Sequence, residues 1–175
     1  MKVKHYASIL IGEYQFADRV KEQVLSSLKT CNPISQNNSN VKASIHTVWN
    51  WEPYNLKFRN LKAYIREQVE KHFRPGARSD GSRSWVKCHT FWANVYEKGD
   101  YAISHCHKPM DFSFAYFVKS KWYYPPLVFT HSGKRIRPKE GRYIIFPSYV
   151  KHHVPKHRYR DTRITLSGNL LINRE

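Results

Sequence analysis

The sequence predicts an α+β fold in which two helices from the first half of the chain pack outside a β-sandwich or barrel formed by the second half. Helical spacing of apolar residues is found before residue 74. From Trp85 onward, six or more short β-branched and aromatic segments alternate with Gly, Pro and charged turns. The length of 175 residues suits one domain and is too small for two full cores.

The first predicted helix covers residues 17–29, and Asp18 is its expected N-cap. Its apolar positions are Val20, Val24, Leu25 and Leu28. The second covers residues 56–73 and ends before Pro75-Gly76. Its apolar positions are Leu61, Tyr64, Ile65, Val69 and Phe73.

Two polar, turn-rich segments divide the chain, at 31–40 and 74–84. The second is the best internal boundary. We therefore expect a single domain over 1–175, in which residues 1–84 give helical and strand support and residues 85–175 form the β core.

The charge of the chain is its most unusual bulk property. Thirty Lys and Arg stand against 13 Asp and Glu, a net charge of +17. Such a field favours association with polyanions such as nucleic acid or an acidic membrane surface. The alternative is a basic surface that keeps the chain soluble or binds an acidic protein. Residues 131–163 alone hold ten Lys and Arg and two acids, with Tyr143, Tyr149 and Tyr159 interleaved. Basic and aromatic side chains together suit phosphate contacts and base stacking, but no fold-specific nucleic-acid motif accompanies them.

The number of cysteines and the hydropathy of the chain indicate the cellular compartment in which the protein is expected. Cys31, Cys88 and Cys106 are odd in number and widely spaced, which argues against a disulfide scaffold or a thiolate zinc site. The sequence contains no signal-peptide pattern and no apolar run of about 20 residues. We expect a soluble cytoplasmic protein that does not associate with a membrane.

The pattern His105-Cys106-His107 is the first feature that indicates chemistry. Residues i and i+2 of a strand point to the same face, so both imidazoles can bind one metal ion. His152, in a later strand, can supply a third ligand and leave coordination positions open for substrate. His153 would then face the opposite side of that strand. In a chain with ten histidines an accidental surface pair is the competing interpretation.

The surroundings of these histidines favour the metal site. The first stretch reads Asn94-x-Tyr96-x-x-Gly99 and reaches His105 after five more residues. The second reads Gly141-x5-Pro147-x4-His152, and Arg163-x-Thr165 follows. This pattern resembles the double-stranded β-helix of the Fe(II)/2-oxoglutarate-dependent oxygenases. Over residues 85–172 it is similar to small 2-oxoglutarate oxygenases of bacteria and phages.

The resemblance implies a double-stranded β-helix, that is, a jelly-roll or cupin-like barrel, with N-terminal helices packed against one sheet. It implies Fe(II) and 2-oxoglutarate as cofactors and O2 as cosubstrate. Its metal ligands would be His105, His107 and His152, and Arg163 would pair with the distal carboxylate of 2-oxoglutarate. Thr165, Asn94 and Tyr96 would contact the same cosubstrate.

Each cosubstrate residue also has a structural interpretation. Arg163 lies in an apolar strand and could pair with Asp161 or another acid instead of a ligand. Asn94 could be an ordinary strand residue, and Tyr96 could belong to the core.

The chain departs from the family at the second ligand, which is usually Asp or Glu and here would be His107. Three neutral imidazoles leave the 2+ charge of the iron to be balanced by 2-oxoglutarate. Asp111 is an alternative metal ligand, although Pro109 disfavours the regular strand that this role requires.

Two other functions compete with the oxygenase. The histidine pattern also resembles the two cupin motifs, with Asp111 in place of Glu, but a cupin has no reason to carry Arg163-x-Thr165. The second competitor is a basic nucleic-acid-binding module, for which the histidine spacing would be coincidence. Under the oxygenase interpretation the prime substrate stays open among protein, nucleic acid and small molecules, because Trp49, Trp51, Trp85, Trp92 and Trp122 are more typical of a core than of a pocket.

Overall fold

The computed structural model describes residues 8–31, 39–51, 58–73 and 85–173. These contain two helices, α1 (Ala17–Leu28) and α2 (Arg59–Phe73). The strands before residue 85 are β1 (Leu10–Glu13), β2 (Val41–Lys42) and β3 (Ile45–His46). The later strands are β4 (Val86–Tyr96), β5 (Tyr101–His105), β6 (Phe112–Lys119), β7 (Leu127–Phe129), β8 (Arg135–Ile136), β9 (Arg142–Pro147), β10 (His152–Val154) and β11 (Arg163–Ile172).

The strands form two antiparallel sheets. The larger sheet has the order β1-β9-β6-β11-β4-β3, and the smaller has the order β2-β5-β10-β7-β8. The centre of the larger sheet is the pairing of β11 with β4 on one side and with β6 on the other. The prediction of helices followed by a two-sheet β structure is confirmed.

Successive side chains of the central strands point to opposite faces of the larger sheet, so the apolar core has two layers. On β11, Ile164, Leu166 and Leu170 belong to the cluster that also contains the buried faces of α1 and α2. The intervening residues of the same strand face the space between the sheets, where Phe117 and Phe146 belong to a second apolar cluster. The larger sheet is therefore buried on both faces, with helices on one and the smaller sheet on the other.

The helices follow the predicted pattern with two differences. Buried residues of α2 are Leu61, Ile65 and Val69, spaced four apart. In α1, Val20 and Val24 are buried, whereas Leu25 is 40% exposed, so its predicted core position is wrong. The predicted N-cap is also wrong: Phe16 occupies that position without a side-chain cap, and Asp18 lies in the first turn. There its carboxylate still favours the positive end of the helix dipole.

Other expectations fall partly outside the described residues. These include residues 56–57 of the second predicted helix and the loop over 74–84. Within the described ranges, neither helix has the length and apolar character needed to cross a membrane.

Candidate metal and cosubstrate site

The three predicted ligand histidines meet at one end of the smaller sheet. His105 is the last residue of β5 and pairs with His152, the first residue of β10. His107 lies two residues beyond His105, where its backbone N–H donates to the carbonyl of Ser148. One ring nitrogen from each histidine lies within 4.8 Å of the others. The structure therefore brings together the triad that the sequence predicted, from two strands and the turn after one of them.

Backbone carbonyls orient two of the three rings. The Nδ1 atom of His105 lies 2.7 Å from the carbonyl oxygen of Ile103, and Nδ1 of His152 lies 3.0 Å from that of Val150. Because a carbonyl can only accept, each Nδ1 carries the hydrogen. The lone pair is then on Nε2, the arrangement of a ligand whose second nitrogen is held by the protein.

Burial keeps these imidazoles neutral. Desolvation, with a smaller repulsion from His105, lowers the pKa of His107 to about 4. The same two causes lower the pKa of His152 to about 3. The pKa of His105 is also lowered, again by burial. At neutral pH three unprotonated imidazoles converge, which is the state that metal binding requires.

Asp111 and His153 lie outside this cluster. The Asp111 carboxylate accepts a hydrogen bond of 2.8 Å from the backbone N–H of Ile172, and so connects the start of β6 to the end of β11. Nδ1 of His153 lies 3.1 Å from the hydroxyl of Thr130. Neither residue is in the group of side chains that can hold one metal ion among the described residues.

Arg163 is the most unusual side chain near the triad. It is 1% exposed, and its Nε and Nη1 atoms have no hydrogen-bond partner among the residues that the structure describes. Its guanidinium lies 4.9 Å from the ring centre of Tyr96 and 5.4 Å from that of Phe117. Asp161, the acid suggested as its structural partner, pairs instead with Lys121 at 2.6 Å. A buried guanidinium with free donors is costly unless an anion binds it.

The other predicted cosubstrate residues lie beside Arg163. In the β11–β4 register Arg163 is opposite Tyr96 and Thr165 is opposite Asn94. The Oδ1 atom of Asn94 is buried without a partner. Burial raises the pKa of Tyr96 to about 12, so its hydroxyl stays neutral. Tyr96 also belongs to the apolar cluster between the sheets, so it has a core role in addition to its position in the site.

A single cavity joins the histidines to these residues. It is lined by His105, His107 and His152 and by Asn94, Tyr96, Arg163 and Thr165. The space that no atom fills is about 470 Å³ including its open mouth. The rest of the lining is mainly apolar. A compact anionic ligand in this space could therefore contact a metal on the histidines and the guanidinium together.

Among the lining residues of the cavity whose side chains can hydrogen-bond, two were not predicted as site residues from the sequence. Trp92 and Ser167 line it and are paired with each other across β4 and β11. The signal was available, because each lies two residues from an assigned site residue and so shares its face of the strand. The Trp92 ring centre is 5.8 Å from that of His107, and its Nε1 has no partner.

Comparison with known proteins agrees with this geometry. Residues 128–169 match the family model described as "Putative 2OG-Fe(II) oxygenase". That match spans β7 to β11 and includes His152, Arg163 and Thr165. A search of the curated proteins found no match.

Solved structures extend the likeness to almost the whole chain. A viral collagen prolyl hydroxylase of Paramecium bursaria Chlorella virus-1, in complex with 2-oxoglutarate, has a TM-score of 0.68 at 12% identity, over 95% of this chain and 96% of that one. The fold is that of the 2-oxoglutarate oxygenases. A Pseudomonas putida prolyl-4-hydroxylase gives 0.67 at 14% identity, over 95% and 94% of the two chains. HygX of Streptomyces hygroscopicus, with nickel and 2-oxoglutarate bound, gives 0.65 at 8% identity, over 94% and 82%.

The double-stranded β-helix and the resemblance to this superfamily are thus confirmed. The residues present also fit both cofactors. Three neutral imidazoles are suitable ligands for Fe(II), and the unpartnered guanidinium of Arg163 provides donors for a carboxylate in the same cavity.

Proposed function

We propose that this protein is an Fe(II)- and 2-oxoglutarate-dependent oxygenase. The observation that carries the proposal is the buried, unpartnered Arg163 in the same cavity as the histidine triad. A protein that bound only a metal ion in this cavity would not need a buried guanidinium beside the histidines. A structural arginine would have an acid partner, and none of the ion pairs in the described part of the chain includes Arg163.

The residues divide into two groups in this proposal. His105, His107 and His152 hold the iron through their free nitrogens. Arg163 binds the distal carboxylate of 2-oxoglutarate with its planar fork, and Thr165 adds a hydroxyl from the same strand face. Asn94 lines the same cavity, where its amide N–H groups can donate to a carboxylate, and Tyr96 packs against the guanidinium. Bound iron supplies the redox chemistry that couples decarboxylation of 2-oxoglutarate by O2 to oxidation of a second substrate.

The all-histidine ligand set has an electrostatic consequence. Without a carboxylate ligand, the protein contributes no negative charge to the iron, and 2-oxoglutarate brings the balancing 2−. Arg163 offsets one of those charges at the far end of the ligand. We therefore propose that 2-oxoglutarate and metal bind with strong mutual dependence.

The buried arginine also separates this proposal from a cupin-type metal site. A cupin that works without 2-oxoglutarate has no ligand for Arg163, whose isolation would then only destabilise the fold. The prolyl hydroxylases among the similar structures make proline-containing peptides one substrate class to include, beside nucleic acids and metabolites.

Anaerobic titration with Fe(II) and 2-oxoglutarate tests the proposal directly. We expect the weak visible band of a ferrous ion chelated by a 2-oxo acid, followed in air by succinate formation that pooled candidate substrates accelerate. The His107→Gln variant is the control, since it removes one ligand and keeps a polar side chain. Folded, iron-loaded protein without the band would contradict the proposal.

A further inference from the structure

A second and larger concave surface is formed by the loops that follow β6 and β10 and by residues at β8. It is lined by Tyr123, Tyr124, Pro125, Pro126, Arg135, Arg137, Pro155, Lys156, Arg158 and Tyr159, which we call the basic groove. Its unfilled space is about 960 Å³ including its open side, twice that of the histidine cavity. The two linings share no residue.

The basic groove carries four cations and no acid in its lining. Arg135, Arg137, Lys156 and Arg158 are all exposed, and none of the ion pairs within the described ranges includes them. The neighbouring acid, Asp161, is already paired with Lys121. Within the part of the chain that the structure describes, no acidic side chain neutralises the positive charge of the groove, and a polyanion complements it.

Exposed aromatic rings stand among these cations. Tyr123 is 37% exposed and Tyr159 is 38% exposed, with ring centres 4.9 Å apart. Trp122, beside the groove, is 69% exposed and lies under the Arg137 guanidinium at 5.6 Å. Partly exposed aromatic rings next to guanidinium groups are the combination on which unpaired bases stack.

The groove is held in shape from beneath. His157, 1% exposed, packs its ring 4.7 Å from that of Tyr124. Its backbone N–H donates to Asp100 and its carbonyl accepts from Gly99, both at 2.7 Å. Lys156, Arg158 and Tyr159 thus extend from a segment fixed to the β4–β5 turn. A preformed surface loses less conformational entropy on binding than a flexible loop does.

We propose that the basic groove binds single-stranded nucleic acid, with phosphates on the four cations and bases stacked on Tyr123 and Tyr159. Single strands fit better than duplex because their base faces are free to stack. An acidic peptide could satisfy the cations but would leave the exposed rings unused. This inference is independent of the oxygenase proposal, since it concerns a different surface and needs neither iron nor 2-oxoglutarate.

Fluorescence anisotropy on the metal-free full chain tests the inference, with labelled oligothymidylate and oligouridylate of about 12 nucleotides as probes for DNA and RNA. We expect binding at about 50 mM salt that weakens as salt rises. In Arg135→Ala/Arg158→Ala, the slope of log affinity against log salt should fall by about 0.7 for each phosphate that the variant no longer neutralises. The control Arg19→Ala/Arg59→Ala removes the same charge from exposed positions on the helices and should keep the wild-type slope.

The stacking component has its own pair of variants. Tyr159→Leu keeps apolar bulk and loses the planar face, so affinity should fall by about 5- to 150-fold while the salt slope stays the same. Tyr149→Leu, at a 57% exposed tyrosine outside both linings, should bind as wild type does. Circular dichroism melts check that every variant is folded.

Three results would overturn the inference. The first is no binding by the wild type at low salt. The second is equal loss of affinity in the groove variants and their controls, which would mean attraction by net charge alone. The third is preference for duplex DNA or polyglutamate over the single strands, which would assign the groove to another polyanion.

Discussion

His105 and His152 face each other across β5 and β10, and their ring centres are 4.5 Å apart. Each lies at the end of its strand, 47 positions apart in sequence, and each donates its Nδ1 hydrogen to a carbonyl of its own segment. His107 completes the group at 5.1 Å from His152. This relationship places two of the proposed metal ligands on a preformed part of the sheet.

Replacing His152 should remove the metal site. His152→Leu keeps bulk against Phe146, whose ring centre is 4.8 Å away, so we expect a folded protein. Loss of a residue that only supports a metal ligand typically lowers metal affinity by about 10- to 100-fold. Because His152 is itself a proposed ligand, the loss of Fe(II) affinity in this variant should be larger. The neighbouring residue, His153, lies within hydrogen-bond distance of the Thr130 hydroxyl instead. Metal titration of the His153→Leu variant should therefore give nearly wild-type Fe(II) affinity. The reverse result would mean that the functional register of β10 is shifted by one residue.

The Arg163→Met variant tests whether Arg163 binds the cosubstrate or only stabilises the fold. The change keeps length and apolar bulk but removes the fork, so calorimetric affinity for 2-oxoglutarate should fall by about 30- to 5000-fold while Fe(II) still binds. Because no acid partner is left buried, the unliganded variant should melt no lower than wild type. Unchanged 2-oxoglutarate affinity with a lowered melting temperature would end the assignment and favour the cupin interpretation.

Asp111→Ala should affect stability rather than metal. Removal of the carboxylate leaves the Ile172 N–H without its acceptor, and we expect a loss of about 1–3 kcal/mol in urea unfolding. Iron binding should persist, whereas His107→Gln should weaken it strongly. If Asp111→Ala lost iron while His107→Gln kept it, the second ligand would be the carboxylate.

The metal-free protein should lose stability in mild acid. A pKa of about 4 for His107 in the folded state lies below the unfolded value near 6.5, so the unfolded chain takes up a proton that the folded chain does not. The stabilising effect of the neutral imidazole is complete above pH ~6.5 and is lost as pH falls toward ~4. Between pH 7 and pH 5 this one histidine should account for about 2 kcal/mol.

Urea unfolding with a chelator present measures this effect at the two pH values. The difference between them should be smaller by about 2 kcal/mol in His107→Gln, which cannot titrate. An equal pH dependence in both proteins would show that His107 is not protected from protonation in the fold.

Local pattern was enough to predict several parts of this structure. Apolar spacing in α2 predicted its buried face, and short β-branched and aromatic segments separated by turn residues predicted the β core. The His105-x-His107 spacing and the distance to Arg163 led to the superfamily resemblance that the comparisons confirm. The resemblance implied Fe(II) and 2-oxoglutarate as cofactors, and the residues of the site fit them.

Contacts between residues that are distant in sequence determined which aromatic side chains are buried, which the local sequence pattern did not predict. Tyr143, expected among the surface tyrosines, is 4% exposed because β9 lies inside the larger sheet between β1 and β6. His157 lies in the loop between β10 and β11, among basic residues, and is nevertheless buried against Tyr124. Of the five tryptophans, Trp51 and Trp92 are buried, and Trp49, Trp85 and Trp122 are exposed. Composition does not distinguish these cases, since each depends on which segment covers the side chain.

By itself, the sequence determined the layer order of helices and sheets and the set of residue types from which a metal site could form, because both follow from periodicity and spacing along the chain. The tertiary structure alone decided that β10 pairs with β5, so that His152 meets His105. It also decided that no acidic residue within the described ranges pairs with Arg163, and that the Asp111 carboxylate accepts a hydrogen bond from the backbone N–H of Ile172. The physical reason is that pairing and burial depend on residues distant in sequence, and the energetic cost of an unpaired charge appears only when its surroundings are complete.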